Sequence, residues 1–146
     1  MYLTQCVERG LAFLATVTNP RRKFFRGSKR FETMIDFYSA KTLGALIREM
    51  PERKLVADGL RTKLREVAVK RNWLAHNYFW SRAALFMSKE GRAGMILELS
   101  DLADYIESVN DELTTIMKQW GAAHGLTTSV IDAVMEDLIR REAATS

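Results

Sequence analysis

The stretch Lys70-Arg71-Asn72-Trp73-Leu74-Ala75-His76-Asn77-Tyr78-Phe79-Trp80 holds the residue types best suited to chemistry in this 146-residue chain. Arginine carries a fork of donors that stays charged at any physiological pH, so Arg71 is a fixed anion binder. Histidine exchanges a proton near neutrality, so His76 is a candidate acid or base. Asn72 follows the arginine directly and Tyr78 stands two positions beyond the histidine. Together they offer anion stabilisation, proton transfer and two neutral hydrogen-bonding groups.

Helical periodicity sets how these groups are presented. Val56, Leu60, Leu64, Val67, Leu74 and Tyr78 form one stripe of a helix predicted over residues 52–87. At about 100° per residue from Leu60, Arg71 falls near 20°, within the apolar stripe, while Asn72 and His76 fall near 120° and 160°. A guanidinium on a buried stripe needs a carboxylate, carbonyls, a subunit boundary or an anionic ligand. Roughly 140° separates Arg71 from His76 on a straight helix. Either the helix is distorted there, or two copies of the motif meet across a dimer cleft. The structural alternative is a hydrogen-bonded core histidine, with Arg71 bridged to Glu98 or Asp101.

The arginine, four intervening residues, the histidine, the asparagine beside the arginine and the later tyrosine resemble the signature of the HEPN (higher eukaryotes and prokaryotes nucleotide-binding) superfamily. The His76-Asn77-Tyr78 run further resembles the toxin of HEPN–nucleotidyltransferase toxin–antitoxin pairs. The resemblance covers residues 55–82, and some 65 residues follow Tyr78, whereas those toxins usually carry the motif in their late helices. It implies an all-α homodimer that cleaves RNA without a metal or cofactor, with a nucleotidyltransferase antitoxin as partner. Arg71 would then stabilise the phosphate, His76 move the proton and Asn72 hold the imidazole or a phosphate oxygen. Tyr78 would hydrogen-bond the phosphate or be the hydroxyl that the partner modifies. The rival expectations are a non-catalytic interaction protein, docking a helical partner on the seam from Met95 to Trp120, and a nucleic-acid-binding regulator.

A second candidate site is the basic run Arg21, Arg22, Lys23, Arg26, Lys29 and Arg30, interleaved with Phe24 and Phe25. Such a run can hold phosphates and stack unpaired bases; the alternative is a solvated loop anchored by its phenylalanines. Net charge is +4, divided unevenly: residues 1–82 carry 17 basic and 7 acidic side chains, residues 83–146 carry 5 and 11. That polarity suits a polyanion or an acidic surface on another subunit.

The elements that must position these groups read as a single all-α domain over residues 1–146, a bundle of about five helices. The expected helices span about residues 3–17, 41–50, 52–87, a long one opened by the Ser88-Lys89-Glu90 cap, and a last one capped by Thr127-Thr128-Ser129. The long helix carries Met95, Leu99, Leu102, Ile106, Val109, Leu113, Ile116 and Trp120 at steps of three and four. Cys6 is the one cysteine, which removes internal disulfides and thiolate zinc clusters and fits a reducing compartment. The acids from Glu98 to Glu112 read as a hydrated face, with no histidine or cysteine to make a metal cage. Without an apolar run of about 20 residues or a signal-type start, the expectation is a cytoplasmic protein with no membrane partner.

Overall fold

A computed structural model describes residues 2–18, 28–50, 56–125 and 129. The chain is all-α, as the periodicity predicts: among the described residues there are seven helices and no strand. They are α1 (Tyr2–Thr18), α2 (Ser28–Ser39), α3 (Leu43–Glu49), α4 (Asp58–His76), α5 (Tyr78–Ser81), α6 (Ala83–Phe86) and α7 (Lys89–Ala123).

The core lies where α1, α3, α4 and α7 converge. Val7, Leu11 and Leu14 of α1 meet Leu43, Leu46 and Ile47 of α3, Leu60, Leu64 and Val67 of α4, and Ile106, Val109 and Leu113 of α7. Gly10 lets α1 approach α7 closely, since a Cβ there would stand 2.7 Å from Leu113 Cδ2. Phe13 meets Trp120 edge-on at 6.1 Å between ring centres. Buried Thr16 satisfies its hydroxyl by donating to the Ala12 carbonyl at 2.8 Å. Cys6 is half-buried.

The helix starts follow from local chemistry. Ser88 Oγ accepts from the Gly91 amide at 2.9 Å, as the cap reading anticipates, and Thr42 Oγ1 accepts from the Ala45 amide at 3.3 Å to open α3. The predicted helix over 52–87 is instead α4, α5 and α6. Asn77, with φ −124° and ψ −21°, leaves helical geometry and ends α4, and Arg82, with φ −112° and ψ 7°, separates the two short helices. Within the run expected as a basic loop, Ser28 begins α2, a helix absent from the sequence prediction. The last expected helix lies outside the described residues apart from Ser129.

The seam of α7 is occupied by the chain's own core. Met95, Ile106, Val109, Leu113 and Trp120 are buried, so this stripe is not a free surface for a helical partner.

Candidate functional site

Arg71, Asn72 and His76 stand on the last turns of α4, which is continuous from Asp58 to His76. The distortion that could have aligned Arg71 with His76 therefore does not occur between them; the break comes one residue later. Their separation of about 140° around the helix axis persists.

Arg71 ends the buried stripe of Leu60, Leu64 and Val67 and is half-buried. Its Nη1 donates to Asn72 Oδ1 at 3.2 Å, while its Nε is buried without a hydrogen-bond partner. Among the described residues no carboxylate pairs with it. Glu98, one of the two acids expected to do so, is taken by Arg82: Nη2 meets Oε1 at 2.7 Å and Nε meets Oε2 at 3.1 Å. The hydrogen bond to Arg82 holds the Glu98 carboxyl below its usual range. Arg71 is thus a cation with one neutral partner and unused donor capacity, the state in which a guanidinium recruits an anion.

Asn72 and His76 are exposed and, four residues apart, share one face of α4. The imidazole expected as a possible core residue is on the surface. The Asn72 side-chain oxygen accepts from Arg71, and its amide group remains a donor.

Tyr78 is set apart from the other three. It is 0% exposed, and its hydroxyl donates to the Met95 carbonyl at 3.2 Å. Trp73 and Phe79 meet it edge-on at 5.0 and 5.3 Å. Burial, reinforced by the Glu98 charge, pushes its phenol above the usual value. As folded, this hydroxyl is used within the chain, where it fastens α5 to α7.

A groove of about 450 Å³ opens between α4 and α7, lined by Glu66, Lys70, Trp73, Glu98, Asp101 and Tyr105 among others. Three carboxylates against one ammonium make it hostile to a polyanion. Its α4 residues lie about 100° around the helix from the Asn72–His76 face, so any phosphate chain at the motif must follow that face. Two of its carboxylates have partners: Glu66 accepts from the Tyr105 hydroxyl, and Glu98 binds Arg82. Among the described residues no cluster of three or more histidines, cysteines or acids could hold a metal ion.

In the second candidate site, Arg21, Arg22, Lys23 and Arg26 lie outside the described residues; Lys29 and Arg30 belong to the first turn of α2. His124 is the exposed C-cap of α7, with its ring stacked on Trp120 at 4.1 Å. None of the helices among the described residues is long and apolar enough to cross a membrane.

Sequence reasoning missed two features of this region. One is the Arg82–Glu98 pair, whose cation also lies 5.5 Å from the Trp73 ring centre. The other is the exposure of the aromatic and aliphatic residues that follow the motif, among them Trp80 at 85% and Met87 at 81%. Their signal was present as the apolar run from Tyr78 to Met87, broken only by Ser81 and Arg82.

No family model, curated protein or solved structure matches the chain.

Proposed function

We propose that the protein is a metal-independent endoribonuclease of HEPN type, with its active site in a cleft between two copies. The observation that carries this reading is the cationic side chain of Arg71, short of acceptors and linked through Asn72 to the face that presents the exposed His76.

In the proposed reaction His76 takes the proton of a ribose 2′-hydroxyl, whose oxygen attacks the adjacent phosphorus. The bond from phosphorus to the 5′-oxygen breaks, and the proton is returned to that leaving oxygen, giving a 2′,3′-cyclic phosphate and a 5′-hydroxyl. Arg71 stabilises the charge that develops on the phosphorane oxygens. Asn72 holds Arg71 and points its amide donors toward the substrate. Because one regular helix keeps Arg71 and His76 apart, each cleft takes Arg71 from one protomer and His76 from the other. Tyr78 supports the folded motif and does not touch RNA. Lys29, Arg30 and the basic residues before them bind the flanking phosphates. A role as the toxin of a toxin–antitoxin or defence system, countered by a nucleotidyltransferase, is the biological setting this activity suits, in the cytoplasm.

The test is cleavage of a mixed-sequence RNA in EDTA by the wild type, Arg71→Ala and His76→Ala. The reading expects a loss of at least about 100-fold in either variant, the scale of removing an acid–base group or an oxyanion donor. Unchanged cleavage in both removes this site. If the wild type itself is inactive on RNA, the non-catalytic interaction protein takes its place, a reading favoured by the exposed apolar residues of α5 and α6.

A further inference from the structure

Two exposed side chains of α4 have no role in its packing: Arg65 and Val69. At about 100° per residue from Leu60, Arg65 falls near 140° and Val69 near 180°, beside Asn72 near 120° and His76 near 160°. All four are exposed, Val69 to 68%. They form one ridge along the outer side of a continuous helix, away from the buried stripe of Leu60, Leu64 and Val67.

We infer that Arg65 anchors a second phosphate of the RNA whose scissile phosphate lies at His76, so that the protein selects chains long enough to span this ridge. The inference rests on the proposed nuclease for the position of the scissile phosphate, and it deepens that reading by assigning a substrate subsite.

Charge is the first argument. From Arg61 to Tyr78 the sequence holds five lysines and arginines and one acid, Glu66. Glu66 lies about 100° round the helix from Arg65, in the groove against α7, where it accepts from the Tyr105 hydroxyl. Lys63 is paired with Glu112, and Lys70 lines the same groove. Arg65 is left as the exposed cation of the His76 face, and among the described residues no carboxylate pairs with it. An arginine in this state offers a phosphate its fork of donors without first breaking an ion pair. A protein partner would need more apolar surface than one valine supplies, whereas a polyanion needs the charge that is present.

Spacing is the second argument. Along the axis of α4, Arg65 and His76 stand about 16 Å apart at 1.5 Å per residue. That is farther than one phosphate of a nucleic-acid strand stands from the next, so the two groups meet different phosphates. Between them Val69 offers the intervening ribose an apolar contact, and the Asn72 amide offers a hydrogen-bond donor.

The test is binding of a fluorescently labelled RNA of about ten nucleotides to the full-chain His76→Ala protein, by anisotropy over a range of salt. In that background Arg65→Gln should raise Kd about 5-fold and flatten the slope of log Kd against log salt by about 0.7. Arg65→Lys, which keeps the charge, should keep the slope, and Lys118→Gln, at an exposed lysine of α7, should change neither. With His76 in place, Arg65→Gln should lower kcat/KM on the same RNA through KM. That loss should vanish on a dinucleoside monophosphate, whose single phosphate is the scissile one. An Arg65→Gln protein with the Kd and slope of its parent overturns the inference, as does an equal loss in Lys118→Gln or a parent without measurable RNA affinity. RNA that binds through Arg65 and is cut by no form of the protein supports the anchor and removes the nuclease. Cleavage of the longer RNA with unaltered KM in Arg65→Gln removes the anchor and leaves the nuclease standing.

Discussion

Arg71 donates from Nη1 to Asn72 Oδ1 at 3.2 Å, a contact between a residue on the apolar stripe of α4 and one on the exposed face that carries His76. The neighbouring Nε is buried and unpartnered. A neutral amide cannot balance a guanidinium, so the end of α4 retains positive charge available to an anion. Substituting Asn72→Ala should weaken RNA cleavage chiefly through the orientation of Arg71, by about 10-fold, with the rest of the fold intact. Single-turnover rates over a series of RNA concentrations would show this, and an Asn72→Asp variant should not rescue, because a carboxylate would neutralise Arg71 and repel phosphate.

Gly91 and Gly94 predict opposite responses to the same substitution. A Cβ on Gly91 would lie 2.0 Å from the Leu85 carbonyl oxygen, backbone that cannot swing aside, whereas nothing lies within 4 Å of one on Gly94. Gly91→Ala should destabilise the protein by about 1–3 kcal/mol through overpacking at the α6–α7 corner. Gly94→Ala should stabilise it by about 0.5–1 kcal/mol, the gain of alanine over glycine inside a helix. Urea unfolding midpoints of the two variants measure both effects.

The Arg82–Glu98 pair is partly exposed, at 30% and 38% of the side chains, so its coupling is modest despite two hydrogen bonds. A double-mutant cycle with Arg82→Ala and Glu98→Ala should give a small favourable coupling at low salt that falls as salt rises. Arg82 depresses the Glu98 pKa, so this contribution is present above the carboxylate's ordinary 4.5 and disappears as the pH falls through the lowered value.

Tyr105 governs the alkaline limb. Burial, followed by the hydrogen bond to Glu66, pushes its phenol from 10.0 up to about 12. A tyrosine with a raised folded-state pKa adds stability that is complete below pH 10 and is lost between pH 10 and 12, since the unfolded chain ionises first. Denaturant midpoints should fall across this window in the wild type and fall less steeply in Tyr105→Phe. Tyr78, also raised by burial, contributes in the same direction.

Helical class, the α1 stripe, the Ser88 cap and the long seam of α7 were all legible, because each depends on spacing or on a side chain next to its partner in sequence. The breaks at Asn77 and Arg82 were not, since no proline or glycine marks them; the chain turns so that Tyr78 can bury its ring and bond Met95, a contact between residues 17 apart. Helix α2 did leave a trace, with Phe31, Met34, Ile35 and Tyr38 at helical intervals, but the six basic residues in 21–30 drew the segment toward a loop reading. Within the site, the stripe position of Arg71 and the separate face of Asn72 and His76 followed from helix geometry. The pairing of Glu98 with Arg82 did not, because it is decided by where α5 ends.

The most direct test of the shared-cleft nuclease is complementation between two inactive variants. Arg71→Ala and His76→Ala, each about 100-fold impaired alone, are mixed, exchanged through mild denaturant and assayed on RNA in EDTA. A cleft that takes Arg71 from one protomer and His76 from the other is intact once in every mixed dimer, so activity should return to about a quarter of the wild-type value. A mixture no more active than its components would contradict the account.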